Sequence, residues 1–393
     1  MDAESRVCAP VPENERQAAL DVLRGVALFG VLWVNLLTEF RLSLFEHLFT
    51  FHTHPGIVNE WIDLVTTWLV EYKAFTVFSF LFGVGIGIQT ERKTLRGARG
   101  SGFLLRRFAI LFIIGIVHMF LIWNGDILCL YAICGLLIIP FLRLPTWLLV
   151  CLGVAAISFN FTPLFGAFLP SEKMMRVHAA SATPIYASGS FTEILDLRRS
   201  EAWSFMIPLL THALPKTFGL MLLGMATWRA GILKRPAAHR RFLAIFFVVA
   251  TLVGASATSF IFWSAIVGKE LPAPVLVDAL SYIPLALGLA SGLTLWLSYP
   301  RTGCFIDLLA AAGRMALTNY LVQSIVFSLI FYGYGLQLFG KLSPAPTAII
   351  GVAVFSFQLV VSITWLRCFH FGPPEWLWRS LTYESWQRMR RTE

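Results

Sequence analysis

Charged residues are scarce in this sequence. Only 13% of its 393 residues are Asp, Glu, Lys or Arg, whereas about 25% is usual for a soluble domain. Hydrophobic residues make up 57% of the chain, and the mean hydropathy is +0.72. This balance excludes an ordinary soluble globular domain and indicates a protein with many membrane-spanning segments.

Paired cysteines, repeats and low-complexity tracts are missing as well. None of the six cysteines lies in a CxxC pair, so neither a disulfide framework nor a zinc site is indicated. His47, His52 and His54 lie close together, but no Cys, Asp or Glu completes a convincing ligand set, and we expect no metal. The net charge of +9 lies between apolar runs rather than on one basic face, so we expect no nucleic-acid partner.

Long apolar runs are abundant. A helix needs about 20 mainly apolar residues to cross a bilayer, and by this rule the sequence predicts an all-α polytopic membrane protein with about ten transmembrane helices. Their predicted centres are Gly30, Phe82, Gly115, Gly135, Ala155, Met221, Ala250, Leu287, Ser324 and Ser356. We expect one membrane domain with a five-helix half (19–165), an external loop (166–205), a second five-helix half (206–367) and an interfacial tail (368–393).

The positive charges set the expected orientation, because loops on the cytoplasmic side of a membrane are enriched in Lys and Arg. With the N-terminus inside, the inner segments carry 22 of the 31 Lys and Arg residues. We therefore expect both termini in the cytoplasm. His118 and Asp126 then lie toward the outer face, and Arg106 and Arg107 lie toward the inner face.

Two predicted spans each combine an inner arginine with an outer polar residue. Arg24 and Asn35 are eleven residues apart, as are Arg107 and His118, which corresponds to about three helical turns or about 16 Å. If the two stripes face each other, they outline a polar path across the membrane, and Asp126 follows His118 in a short turn. The alternative is that the arginines reach the interface, while Asn35 and His118 only hydrogen-bond to neighbouring helices.

Other predicted spans carry polar residues too. Asn319 and Gln323 are i, i+4 neighbours and form a stripe that lipid cannot satisfy, so they must face protein, water or ligand. Arg314 precedes them at the inner end of the same span. His212 lies between two prolines in the sixth span, where freed backbone carbonyls often line cavities. A histidine at the outer interface explains His212 equally well.

Two further patterns predict packing rather than chemistry. Gly83 and Gly87 form a GxxxG pair, which permits close approach of another helix. The tail reads as a short interfacial helix with tryptophans at the headgroup level, in which Glu375 and Arg379 pair at i, i+4.

Five sequence blocks resemble the YeiB-like family, also called domain of unknown function 418. They are ALDVLRGVALFGVLWVN, FSFLFGVGIGIQ, HMFLIWNGDILCLYAICGLL, GRMALTNYLVQS and GPPEWLWRSLTY. The resemblance covers nearly the whole chain, with the blocks in matching order. The family is grouped more distantly with transmembrane acyltransferases, including the acyltransferase-3 proteins and the heparan glucosaminide acetyltransferase relatives. Those proteins move an acyl group from cytoplasmic acyl-CoA to a hydroxyl or amine acceptor.

The resemblance implies an acyl-CoA-dependent acyltransferase with multiple spans in the bacterial inner (plasma) membrane. Acyl-CoA is then the donor substrate, and the acceptor is a small molecule or a glycan. The expected partners are membrane lipids, and the protein can also form a homo-oligomer. Acyltransferase-3 proteins carry a histidine in the outer part of the first helix, where this chain has Asn35. We therefore assign the base to His118 on another helix, an assignment that comes from the residues rather than from the family.

The candidate residues fall into three groups. The candidates for binding the CoA phosphates are Arg24, Arg106, Arg107 and Arg314. The catalytic candidates are His118 as general base, Asp126 as its orienting partner and Asn35. The candidates for substrate or oxyanion binding are Asn319, Gln323 and His212, with Asn35 also available. Two alternatives remain: a transporter of a small solute or lipid along the same polar path, and a non-catalytic membrane scaffold.

Overall fold

The computed structural model describes residues 18–46, 56–95, 101–162, 164, 167–268, 274–299 and 303–391. These residues form helices and their connections, and no β-strand occurs among them. The helices are α1 (Ala18–Asn35), α2 (Ile57–Val65), α3 (Lys73–Leu95), α4 (Ser101–Val117), α5 (Leu128–Ile138), α6 (Thr146–Asn160), α7 (Glu172–Ser188), α8 (Phe191–Glu201), α9 (Ile207–Arg229), α10 (Arg240–Val267), α11 (Pro274–Leu297), α12 (Cys304–Arg314), α13 (Ala316–Phe331), α14 (Pro344–Cys368) and α15 (Pro373–Tyr383).

In the described part of the chain, seven helical segments are long and apolar enough to cross a membrane. They are Ala18–Phe40, Ile57–Arg92, Gly102–Ile122, Phe191–Arg229, Pro236–Ser264, Ala279–Leu297 and Pro344–Cys368. α12 and α13 pass the same test only as a pair, which is bent by 82°. The all-helical prediction is confirmed, and multiple membrane spans are indicated. Three of the ten predicted centres lie on this bent pair or on the shorter apolar segments Leu128–Arg143 and Thr146–Asn160, so the count of ten stays a prediction.

The outer surface of these helices is apolar, as lipid contact requires. On α10, Leu252 is 61% exposed, and on α14, Ile349 and Phe357 are each 70% exposed. Polar side chains such as Asn319 and Gln358 instead lie buried between helices. A soluble protein rarely exposes such extensive apolar surface, so the pattern supports a bilayer as the solvent.

Four π-helical turns interrupt the helices over the described ranges. They are Leu36–Phe40 after α1, Thr66–Val70 after α2, His118–Ile122 after α4 and Ala202–Met206 between α8 and α9. π-helical turns are rare and are frequent at functional sites. Three of the four lie at titratable groups treated below: Glu39, which is half-buried, and His118 and Glu201, which are buried.

Glycines let helices pack backbone to backbone, and two of these contacts position the site. A Cβ on Gly83 of α3 would lie 2.0 Å from Met221 O of α9, which agrees with the close approach that the GxxxG pair predicts. A Cβ on Gly313 of α12 would lie 1.9 Å from Asp21 O of α1. This second contact brings Arg314 close to the first turns of α1.

Two segments are more ordered than the sequence indicates. The predicted loop over 166–205 contains α7 and α8, and Ser190 caps α8 through a reciprocal pair of hydrogen bonds with Glu193. The tail helix α15 packs into the protein, where Trp378 Nε1 donates to Arg107 O at 2.8 Å. Glu375 binds the first turn of α13 through Thr318.

Candidate functional site

A cavity of about 330 Å³ enters the bundle between α1, α3, α4, α13 and α15. Its lining changes in character along its length. One end is rich in arginine, the middle is apolar and aromatic, and Ile127, Tyr131 and Tyr320 lie among the residues at the other end. Such a cavity suits an elongated ligand with an anionic group at one end and an apolar arm at the other.

Five arginines form the charged end, and we call them the arginine cluster: Arg24, Arg92, Arg107, Arg314 and Arg379. Asp21 and Glu375 are the carboxylates among the lining residues of the described chain. Asp21 Oδ1 accepts a 2.7 Å bond from Arg24 Nη1, so the predicted stripe begins with an ion pair. With five guanidinium groups against two carboxylates, this end of the cavity favours an anion.

Glu375 is held in place by the start of α13. Its carboxylate accepts the N–H of Thr318 at 2.9 Å and also the Thr318 hydroxyl. Thr318 is in the first turn of that helix, where backbone N–H groups have no intrahelical partner and a carboxylate is favourable. Burial is the main cause that raises the pKa of the Glu375 carboxyl, and the hydrogen bonds from Thr318 oppose this rise.

Arg106 and Arg107 are neighbours in sequence with different surroundings. The Arg107 guanidinium lies 3.6 Å from the centre of the Trp378 ring and lines the cavity. Arg106 instead forms an ion pair with Glu384 and does not belong to the lining. The structure therefore brings three of the four predicted phosphate-binding residues to the cavity and leaves Arg106 outside it.

The middle of the cavity is apolar. Leu28 and Val31 of α1 line it together with Phe78 and Phe82 of α3 and Phe108 of α4. On α1 the lining extends from Asp21 to Val31, ten residues that correspond to about 15 Å of helix.

His118 and Asp126 are in contact, as the short turn between them predicts. His118 Nδ1 lies 2.9 Å from Asp126 Oδ1, and both side chains are fully buried. Asp126 Oδ2 accepts the N–H of Cys129 at 2.7 Å, which places the carboxylate at the start of α5. His118 Nε2 lies 2.9 Å from Ser324 Oγ of α13. The His118 ring centre is 5.0 Å from that of Tyr320, which lines the cavity.

A second buried polar group lies on the other side of the same turn, and we call Asn124, His178, Tyr186 and Glu201 the Glu201 cluster. Glu201 accepts hydrogen bonds from Asn124 Nδ2 and, at 2.5 Å, from the Tyr186 hydroxyl. His178 Nε2 lies 2.8 Å from the other Glu201 oxygen. Burial and the neighbouring Glu201 raise the pKa of Tyr186 well above its ordinary value, so this hydroxyl stays a donor.

Glu39 lies beside the turn after His118. A Cβ on Gly125 would lie 2.3 Å from the Trp123 ring and 2.6 Å from Glu39 Oε2, so glycine lets the turn pass this close to both side chains. Asn124 and Asp126, on either side of Gly125, serve the two buried polar groups. The turn therefore fixes the relative positions of His118 and Glu201.

Asn319 and Gln323 make contacts that differ from an oxyanion site. Gln323 Nε2 donates to Gln358 Oε1 at 2.8 Å, and Gln358 Nε2 donates to Asn319 O at 3.0 Å. Asn319 Nδ2 donates to Ala312 O at 3.2 Å and to Ser362 Oγ at 3.0 Å. Both amides join helices to one another, as buried polar residues do in membrane bundles.

Asn35 and His212 also lie away from the cavity lining. Asn35 is partly buried where α1 passes into its π-helical turn, and His212 is partly buried on α9. His47, His52 and His54 fall outside the described residues. Within the described ranges, no three His, Cys, Asp or Glu side chains group together as a metal site requires.

Several residues of the site are not predicted from the sequence. Arg92 and Arg379 complete the arginine cluster, but they lie in segments that read as loop and tail. Ser324 is one of many small polar residues in apolar helices, and only its contact with His118 distinguishes it. The sequence does contain a signal for Glu39 and Glu201, because each is a lone carboxylate at the edge of an apolar run and such a group needs a partner.

Comparisons with known proteins find relatives over almost the whole chain. The uncharacterized protein YxaH of Bacillus subtilis (strain 168) is 34% identical over 406 residues, which cover 96% of this chain and 97% of YxaH. The uncharacterized protein YeiB of Escherichia coli (strain K12) is 29% identical over 418 residues, with 94% and 97% covered. No solved structure matches the chain.

The family described as "Protein of unknown function (DUF418)" matches residues 227–385. This match and the similarity to YxaH and YeiB confirm the resemblance carried by the five sequence blocks. The more distant relation to transmembrane acyltransferases stays a prediction. The chain belongs to the YeiB-like family of proteins of unknown function, DUF418.

Proposed function

We propose that this protein is a membrane-embedded acyltransferase that moves an acyl group from cytoplasmic acyl-CoA to a hydroxyl or amine acceptor. The observation that carries this proposal is one cavity that joins the arginine cluster to the surroundings of His118 and Asp126. Acyl-CoA has the matching order of groups: phosphates at one end, a slender arm and a reactive thioester at the other.

The arginine cluster is proposed to bind the CoA phosphates. Guanidinium groups bind phosphate through paired, charge-assisted hydrogen bonds. Arg24 and Arg107 lie on different helices and approach the cavity from α1 and α4, so they can grip one ligand from two sides. The pantetheine arm then runs along the apolar middle of the cavity, whose lining extends about 15 Å along α1.

His118 is proposed to take the proton of the acceptor. With Nδ1–H donating to Asp126, Nε2 is the basic nitrogen. As the acceptor oxygen or nitrogen bonds to the acyl carbon, its proton moves to Nε2 and the bond between the acyl carbon and the leaving group breaks. His118 then gives the proton to that leaving group, which is the CoA thiolate when transfer is direct. A positioned base of this kind contributes about 10²–10⁴-fold to the rate.

The proposal includes an orientation. The arginine cluster faces the cytoplasm, where acyl-CoA is made, and both termini lie on that side, as the Lys and Arg distribution predicts. The ten-span topology and the bacterial inner membrane belong to this proposal. The Glu201 cluster then lies toward the outer face, where it is placed to meet the small-molecule or glycan acceptor.

The test is release of CoA thiol by the detergent-purified chain. Acetyl-CoA and longer acyl-CoAs are supplied with a panel of hydroxyl and amine acceptors, and wild type is compared with H118Q. We expect H118Q to abolish acceptor-dependent release while acyl-CoA still binds. H118Q release at the wild-type rate contradicts the role given to His118.

A transporter is the second candidate, and the Glu201 cluster favours it. Buried titratable groups lie on both sides of one turn, as in the proton relays of transporters. They are His118 with Asp126 and His178 with Glu201, and the half-buried Glu39 lies beside the same turn. Counterflow of a labelled solute in proteoliposomes, without release of CoA thiol from any acyl-CoA, selects this function instead. If the protein keeps its function after substitution of every polar residue of the path, it is a non-catalytic membrane scaffold instead.

A further inference from the structure

Ser324 completes an Asp–His–Ser array inside the bundle. Its Oγ lies 2.9 Å from His118 Nε2, and His118 Nδ1 lies 2.9 Å from Asp126 Oδ1. Ser324 is 2% exposed, and the His118 residue is 0% exposed. The same order of carboxylate, imidazole and hydroxyl activates serine nucleophiles on several unrelated protein folds, where it is recognised by geometry rather than by sequence.

The array is hydrogen-bonded in both protonation states of His118. When the imidazole is neutral, Nδ1–H donates to Asp126 and the Ser324 hydroxyl donates to Nε2. When it is protonated, Nε2–H donates to Ser324 Oγ, and the hydroxyl is free to donate to Tyr320 O at 3.2 Å. An imidazole that only joined helices would need hydrogen-bond partners in one protonation state. Here the proton on His118 can come and go without leaving a buried polar atom unpaired.

Ser324 lies one helical turn beyond the cavity. Tyr320, four residues earlier on α13, lines the cavity end, and side chains at i and i+4 share a helix face. Helical side chains also lean toward the preceding turn, and Ser324 Oγ is in contact with the backbone of Tyr320. The Tyr320 hydroxyl donates a long 3.3 Å bond to Gly125 O, and an acyl group that reaches Ser324 from the cavity requires the Tyr320 side chain to rotate.

We propose that Ser324 is the covalent nucleophile of this protein and carries the acyl group as an ester. This inference rests on the proposed acyltransferase function. In the first half-reaction, Ser324 Oγ bonds to the thioester carbon while its proton moves to His118 Nε2. The C–S bond then breaks, and His118 gives the proton to the leaving thiolate, which departs as CoA thiol.

The second half-reaction reverses these roles. The acceptor hydroxyl or amine attacks the ester carbon and gives its proton to His118. The bond between the acyl carbon and Ser324 Oγ breaks, and Oγ recovers the proton from His118. Donor and acceptor therefore never have to occupy the site together, so CoA enters from the arginine cluster and leaves by the same route before the acceptor arrives.

The experiment looks for the ester directly. The full detergent-purified chain is mixed with radiolabelled acetyl-CoA without acceptor, and the reaction is stopped with acid. We expect a burst of one CoA thiol per chain and the same amount of label held by the denatured protein. The label should resist neutral hydroxylamine and be released by alkaline hydroxylamine, as an oxygen ester is.

Three variants separate a nucleophile from a structural serine. S324A should hold no label. S324C should hold label that neutral hydroxylamine releases, because the bond is then a thioester, and a structural role cannot produce this change. S328A is the matched control and should label like wild type. Ser328 is buried one turn further along α13, and its hydroxyl donates to Ile122 O at 3.4 Å.

These outcomes distinguish failure of the serine ester from failure of the proposed acyltransferase function. Acceptor-dependent release of CoA thiol at the wild-type rate by S324A, or label on a residue other than Ser324, overturns the serine ester and leaves an acyltransferase with direct transfer. Neither binding nor cleavage of any acyl-CoA by folded wild type overturns both.

Discussion

Asp126 is the residue that fixes the orientation of the His118 ring. Its two oxygens contact His118 Nδ1 and the Cys129 N–H, so the carboxylate is held from both sides. An amide at this position keeps the size of the side chain but can present its NH₂ to Nδ1, which reverses the tautomer of the imidazole.

We therefore expect D126N to lower transfer by at least about 10²-fold, the lower range for loss of a positioned base. The affinity for acyl-CoA should stay within about 3-fold, because Asp126 does not line the arginine end of the cavity. Thiol release and calorimetry on the same preparation measure the two effects. Equal losses of binding and transfer would place Asp126 in ligand binding instead.

Glu375 gives a prediction of stability and its pH dependence. E375A removes a side-chain cap from the start of α13 and should lower the free energy of unfolding by about 0.5–2 kcal/mol. E375Q keeps an acceptor for the Thr318 N–H and should lose less. The shift of the melting temperature in detergent, followed by intrinsic fluorescence, measures both variants.

The sign of the pH effect follows from the raised pKa of Glu375. The folded protein holds this proton more tightly than the unfolded chain, so the carboxyl favours folding most at low pH. This contribution falls as the pH rises through the ordinary carboxyl pKa and then through the raised one. The stability difference between wild type and E375Q should therefore change in a window above the ordinary carboxyl range. A change confined to lower pH contradicts the burial of this group.

At the scale of elements, buried amides join α13 to α14. Q358L leaves the Gln323 Nε2 donor without its partner, and we expect a loss of about 1–3 kcal/mol. The double variant Q323L/Q358L removes both groups and should recover part of this loss, since removing both partners is less costly than removing one. Melting temperatures test this coupling. Additive losses in the double variant would show that the two amides act independently.

The sequence predicts the helices of this protein better than it predicts the contacts between them. Apolar run lengths predict the helices, and the eleven-residue spacing of Arg107 and His118 predicts that both lie on nearly the same helix face. Neither signal fixes which face meets which helix. The sequence therefore indicates Asn319 and Gln323 as candidates for ligand binding. In the fold, their side chains instead hydrogen-bond to Ser362 and Gln358, which lie far away in the sequence. Arg379 reads as part of a surface anchor, although the fold of α15 brings it to the cavity.

For the whole molecule, the distribution of Lys and Arg predicts both termini in the cytoplasm. A fluorescent protein that matures only in the cytoplasm should fluoresce when fused after Glu393. Alkaline phosphatase, which needs the oxidising side of the membrane, should be active when inserted between α6 and α7. The reverse pattern would place the arginine cluster on the side that holds no acyl-CoA.

The most direct test of the account is calorimetric titration of acetyl-CoA into wild type, R107A and R106A. The two arginines are adjacent in sequence, but only Arg107 lines the cavity, while Arg106 pairs with Glu384. Loss of one charge-assisted contact, about 1.5–3 kcal/mol, predicts about 10–100-fold weaker binding by R107A. R106A should stay within about 3-fold of wild type. Equal affinity of all three proteins, or no binding by folded wild type, contradicts acyl-CoA in this cavity.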